Sequence, residues 1–213
     1  MARRKLGDVD ERQLKKFVNR RSVAIALGNW KAWRDVYEHD GKPQNNHVLT
    51  CPDRFKTFCK EYRVHRTIKR GTSDGFREYL ARSIQKVVQD GTGQALDEFE
   101  KGSRRKYGTY HGRRRMISVV SKVAAFVKPV RFVAWDQYSR AGLNIVRGRA
   151  KSTPFENYAD YLKAINRVWK DRAEKLVNIQ VRKCRVGRPL VGQQAFLRRV
   201  FDVALMTCGG RKF

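Results

Sequence analysis

The sequence predicts an all-α protein, a bundle of amphipathic helices. Apolar residues recur at spacings of three and four through most of the chain, the signature of one buried helix face. Capping residues, glycines and prolines stand where those stripes begin and end. Only Phe132 to Trp135 has extended character, and that run is short.

The elements follow in order. In the N-terminal third, Leu14, Phe17, Val23 and Trp30 fit helical segments. From Ser73, with Ser73 or Asp74 as N-cap, the positions Phe76, Tyr79, Leu80, Ile84, Val87 and Val88 form one stripe, which Gly91 and Gly93 stop. A short helix around Ala95 to Glu100 and a polar link from Gly102 to Gly112 are expected next. The run from Arg113 to Val127 then places Met116, Val119, Val120, Val123 and Val127 on one face, and Pro129 ends it. Asp136 opens a helix through Tyr138 and Leu143 to Val146. Thr153-Pro154 reads as an N-cap with proline in the first turn, launching a long helix with Phe155, Tyr158, Leu162, Ile165 and Trp169. Phe196, Leu197, Val200, Phe201 and Leu205 make the last stripe, closed by Gly209-Gly210.

Composition narrows the function. The 213 residues carry a net charge of +28, from 48 Lys and Arg against 20 Asp and Glu, which points to a polyanionic partner. A hydrophobic content of 41% with 11% aromatics is too rich for a disordered basic tail. No run approaches the ~18 apolar residues of a membrane span, and Arg3, Arg4 and Lys5 lead into no apolar segment. The expected setting is intracellular: a bacterial cytoplasm, or a host cytoplasm for a phage-encoded chain. Cys51, Cys59, Cys184 and Cys208 form no close pair, and His39, His47, His65 and His111 are scattered. Neither a metal site nor a cofactor is expected.

The stretch from Lys101 to Phe155 is the most informative. It holds many cations and a single acid, Asp136. Fourteen residues earlier, Lys122 falls at the margin of the apolar stripe of its helix. Partial desolvation and neighbouring cations both favour the free amine, a nucleophile. The plain alternatives are that Asp136 only caps a helix and that Lys122 is a snorkelling surface lysine.

Segment 118–143 adds context. It has Lys122 in an apolar helix, Pro129 in the loop that follows, and Asp136 at the next helix start. It resembles the active-site segment of helix-hairpin-helix DNA glycosylases, in particular the 8-oxoguanine-type bifunctional branch. Lys122 stands where that family has its nucleophilic lysine, and Asp136 where it has its catalytic aspartate. The stretch before Lys122, residues 114–121, lacks the proline and glycines of the family hairpin, and the Lys-to-Asp interval is shorter. In a degenerate hairpin, Arg113, Arg114 and Arg115 would contact phosphate by side chain.

The resemblance implies a helical bundle with the active-site cleft between helical halves. It would be one domain over 1–213, or two subdomains: about 1–70 with the C-terminal helices, and about 71–150. It implies a monomeric DNA-repair hydrolase that flips a modified base out of duplex DNA, acting as N-glycosylase and AP lyase. Trp135 and Tyr138 are the base-pocket candidates, and Trp135 fits the core equally. Arg104, Arg105 and Lys106, near Tyr107 and Tyr110, are expected in a strand-contacting loop, with Gln137 and Arg140 as further DNA contacts. Two rivals stand beside this reading. One is a phage-type thymine hypermodification transferase on the same scaffold. The other is a non-enzymatic helical nucleic-acid-binding protein.

Overall fold

The computed structural model describes residues 9–39, 42–43, 47–62, 64–109, 115–186 and 193–213, with the backbone alone at 29–39, 42, 43, 47 and 65. The fold is all-α; one two-residue antiparallel ribbon, Glu38–His39 against Lys42–Pro43, accompanies the helices. No helix among the described residues is long and apolar enough to cross a membrane. The chain divides into two compact units. One gathers residues from 1–30, 136–156 and 160–213, the other 31–135 and 157–159.

In the second unit, helices α3 (His47–Thr50), α4 (Pro52–Glu61), α5 (Ser73–Asp90), α6 (Gly93–Tyr107) and α7 (Ile117–Val127) enclose a core with Phe55, Phe58, Phe76, Leu80, Ile84 and Val120. The N-cap of α5 is Thr72, one residue before the expected position. Helix α6 runs on to Tyr107, so the expected link from Gly102 is helical over its first turns. The reason is tertiary: Ser103 and Tyr107 are buried and extend the inward stripe.

Helix α7 begins at Ile117 rather than at Arg113, because the amide of Met116 is taken by the buried Glu100 carboxylate at 2.7 Å. Residues 132–136 form neither helix nor strand, with Asp136 itself in extended backbone. Side chains satisfy this backbone instead. The Tyr158 hydroxyl donates to the Val133 carbonyl at 2.7 Å and accepts its amide at 3.1 Å, and Ser121 Oγ accepts the amide of Trp135 at 2.9 Å. Buried backbone groups need such partners, at about 1–3 kcal/mol for each one left unmet.

The first unit holds α1 (Glu11–Phe17), the start of α2 (Arg20–Tyr37), α8 (Gln137–Val146), most of α9 (Tyr158–Val168), α10 (Glu174–Lys183) and α11 (Gln194–Cys208). Asp10 caps α1, accepting the amides of Arg12 and Gln13. Helices α8 and α11 are the most closely packed pair, and glycine makes this possible. A Cβ on Gly142 would lie 2.0 Å from the Leu205 carbonyl oxygen, and one on Gly209 would lie 2.0 Å from that of Tyr138.

The long helix starts at Tyr158, not at Thr153. The Thr153 carbonyl accepts Asn144 Nδ2 at 2.7 Å, which ties that residue into the loop behind α8. Helices α9 and α10 are continuous through a π-helical turn, Trp169–Ala173. There Trp169 packs on Phe201, ring centroids 5.5 Å apart, and the Arg198 guanidinium lies 4.6 Å from the Trp169 ring.

Candidate functional site

In the second unit, Lys122 sits on the second turn of α7, half-buried. Its Nζ donates to the Tyr62 carbonyl at 3.1 Å and lies 5.7 Å from the centroid of the Tyr62 ring. A carbonyl oxygen and a ring face are the partners an ammonium seeks. In this arrangement Lys122 is a hydrogen-bond donor, and attack on a sugar requires the nitrogen to leave Tyr62. The residue before it, Ser121, is fully buried and holds the amide of Trp135, the residue before Asp136. Trp135 is 9% exposed, with its ring against Tyr158 at 6.2 Å and the Arg115 guanidinium 5.8 Å from it. These are the contacts of a packing residue.

The expected strand-contacting loop is not a loop. Arg104, Arg105 and Lys106 occupy the last turn of α6, where cations complement the helix dipole. Arg104 Nε is 3.7 Å from Glu100, whereas Arg105 and Lys106 are exposed. Arg115 is exposed and reaches Asp97 at 3.4 Å. Arg113 and Arg114, with Tyr110 and His111, lie outside the described residues.

In the first unit, Asp136 is the N-cap of α8, its Oδ1 accepting the amides of Tyr138 at 2.8 Å and Ser139 at 3.4 Å. Oδ2 has no hydrogen-bond partner among the described residues, and the residue is half-buried. Gln137 is exposed, and Tyr138 and Arg140 are half-buried. Beneath the cap lies a group that sequence reasoning missed. Ser139 Oγ donates to Asp202 Oδ1 at 2.6 Å, and Arg199 Nη1 meets Asp202 Oδ2 at 2.7 Å. Burial pushes the Asp202 carboxyl above the usual range and the Asp136 charge adds to this, while Arg199, Ser139 and Arg211 pull it down. Asp202 carries the signal that singled out Asp136: it is the one acid after Glu174. It sits inside a helix, where no cap pattern marks it.

The distribution of acids decides the electrostatics. Among the described residues, Asp10 and Asp136 cap their own helices, Asp97 and Glu100 bind distant backbone amides, and Asp202 binds Ser139 and Arg199. The other fifteen acids of the chain, many of them exposed, are too few to pair with 48 cations. Arg82, Lys86, Arg105, Lys106, Lys163 and Lys170 are exposed and have no carboxylate partner among the described residues. Such a surface attracts polyanions and keeps them by releasing their counterions.

These features define the class: an all-α, strongly cationic helical protein. No protein-family model, no curated protein and no solved structure matches the chain.

Proposed function

We propose that the chain binds DNA through its cationic surface and acts on an extruded base, with Lys122 and Asp136 as the working groups. The observation that supports it best is the excess of 28 cations over acids across the chain, with Arg82, Lys86, Lys163 and Lys170 among those exposed and without a carboxylate partner among the described residues. Duplex affinity then falls steeply with salt, log K dropping by about 0.9 per neutralised phosphate for each unit of log salt.

The chemical step has a specific motive in Asp136. One oxygen is fixed by two amides at a helix N-terminus, and the other is left for the positive charge that develops on the sugar as the glycosidic bond breaks. The Lys122 amine, freed of a proton and of Tyr62, attacks C1′ and the base departs with the bonding electrons and a proton. The sugar ring then opens to an imine, O4′ taking a proton. β-Elimination expels the 3′ phosphate, and no oxidant or reductant is consumed.

The test is borohydride trapping on duplexes carrying oxidised, deaminated, abasic or phage-type modified bases. A covalent adduct lost in Lys122→Ala, with binding retained and base release lost in Asp136→Asn, is the expected result. A gain in oligonucleotide mass in place of release identifies a base-modifying transferase. If both variants keep every activity and the wild-type salt slope, the chain is a nucleic-acid-binding protein without this chemistry.

A further inference from the structure

The continuous helix made by α9 and α10, Tyr158 to Lys183, contains one π-helical turn, Trp169–Ala173. Such a turn absorbs one extra residue, so every later residue is rotated back by one position relative to an unbroken α-helix. The buried face shows the consequence. Ile165, Val168 and Trp169 before the turn and Ala173, Val177 and Val181 after it are each at most 3% exposed. At about 100° per residue, an unbroken α-helix would carry Val181 round to the side of Lys163, which faces solvent. The π turn keeps all six inward.

The same rotation acts on the outer face, where it aligns charge. Counted at about 100° per residue, less one residue for the π turn, Lys163, Arg167, Lys175 and Arg182 fall within about 40° of one another. In an unbroken α-helix, Lys175 and Arg182 would stand about 100° further round. All four are exposed, and Lys170 is exposed at the flank of the same face. Lys163, Arg167, Lys170, Lys175 and Arg182 thus form one cationic ridge along about 28 Å of helix.

Nearby acids do not cancel this ridge. Asp171 shares the face, in a loose pair with Arg167 at 3.6 Å. Glu174 accepts from Gln194 of α11 at 3.0 Å, and Glu11 of α1 is paired with Lys15 at 2.9 Å. Among the described residues no carboxylate lies within ion-pair distance of Lys163, Lys170, Lys175 or Arg182. The helix dipole favours a cation at Arg182, in the last turn, but not at the earlier positions. A line of like charges is complementary to a repeating anion. A duplex carries one charge per about 1.7 Å of its axis, so a ridge of this length passes several phosphates.

We infer that this ridge is the face on which the chain tracks the phosphate backbone of duplex DNA, its register set by the π turn. This rests on the DNA-binding reading above and names the surface for it. Contacts of this kind hold a protein on the duplex and carry no base specificity.

The experiment measures duplex affinity against salt for the full chain and three variants. Lys175→Gln/Arg182→Gln removes the part of the ridge beyond the π turn. Arg172→Gln/Lys183→Gln removes the same charge from exposed positions of the same helix, about a quarter-turn away. Ile179→Lys adds a cation between Lys175 and Arg182, at a position 39% exposed. The ridge predicts that the first variant lowers the salt slope by about 2 and weakens binding more than about tenfold at ~0.1 M salt, on every duplex sequence. The off-ridge pair keeps the wild-type slope, and Ile179→Lys raises the slope by up to about 1. Because Ile179→Lys reads a gain, it still tests the ridge should the first variant unfold.

A wild-type slope in the first variant overturns the proposal. An equal fall in the off-ridge pair does so too, since the effect would then be one of net charge alone. If the first variant loses affinity for a single-stranded oligonucleotide and none for duplex, the ridge serves a single strand and the duplex assignment is wrong. Failure of the wild-type chain to bind duplex at all is a different result. It removes the DNA-binding reading itself, together with the surface named for it.

Discussion

The Asp97 carboxylate on α6 accepts the amide of Tyr158 at 3.0 Å through Oδ1 and that of Ala159 at 2.9 Å through Oδ2. A residue 61 positions away in sequence thus caps the start of α9. One helical turn further along α6, Glu100 does the same for Met116 ahead of α7. Two acids at i and i+3 on one face of one helix therefore fix where two other helices begin.

Replacing Asp97 by Ala strands two amides that are poorly placed to reach water and removes the Arg115 contact. A loss of about 2–4 kcal/mol is expected, since each charge-assisted bond is worth more than a neutral one. Asp97→Asn, which keeps one acceptor, should lose about half as much. Urea unfolding measures both, and a shift in midpoint near zero for the Ala variant would mean that Asp97 does not cap α9.

Gly142→Ala tests the close crossing of α8 and α11. On helix propensity alone the change stabilises by about 0.5–1 kcal/mol. Here the new Cβ meets backbone, the Leu205 oxygen at 2.0 Å and the Gly209 nitrogen at 3.1 Å, which cannot rotate away. The expected net effect is destabilisation by about 2–4 kcal/mol. Gly102→Ala is the control: it is an exposed position of α6 with only the Tyr79 hydroxyl near, at 3.5 Å, and it should gain stability. The opposite signs, read by denaturant midpoint, are the result to look for.

Asp202 gives the pH dependence a definite sign. Its folded carboxyl is raised above its unfolded value, so between the two values the folded state holds the extra proton. The contribution of this group is therefore full below the unfolded value and is lost as pH rises through the folded one. Other carboxylates work in the opposite direction, so the informative quantity is the difference between wild type and Asp202→Asn. Stability measured from about pH 3.5 to about pH 7 should show the variant gaining on wild type with rising pH. A constant difference would place Asp202 in an ordinary solvated setting.

Thiol reactivity separates the four cysteines. Burial pushes the Cys59 thiol up to about 12 and the Cys208 thiol up to about 11, so the reactive thiolate is scarce at both. Cys51 and Cys184 are half-buried. Titration with an aromatic disulfide near neutral pH should modify Cys51 and Cys184 in the folded protein, and Cys59 and Cys208 only after denaturant is added. Mass spectrometry of the labelled peptides identifies the order. Early labelling of Cys59 would contradict the packing of α4.

Much of this molecule is legible in one dimension. The stripes Phe76–Val88, Val119–Val127 and Phe196–Leu205, the stops at Gly91 and Gly209, and the cap at Asp136 follow from spacing and local chemistry, because a helix face and its first free amides lie within a few residues of each other. The net charge, and with it the class of partner to seek, is also a property of composition alone. Where helices begin at Ile117 and Tyr158, and how the run 132–136 survives without a neighbouring strand, were decided by Glu100, Asp97, Ser121 and Tyr158, residues 14 to 62 positions from the groups they bind, while the burial of Ser103 and Tyr107 carries α6 on to Tyr107. The partners of the half-buried Asp202 belong to the same class. Hydrogen bonds and charges act through space, and only the packed chain brings their partners within reach.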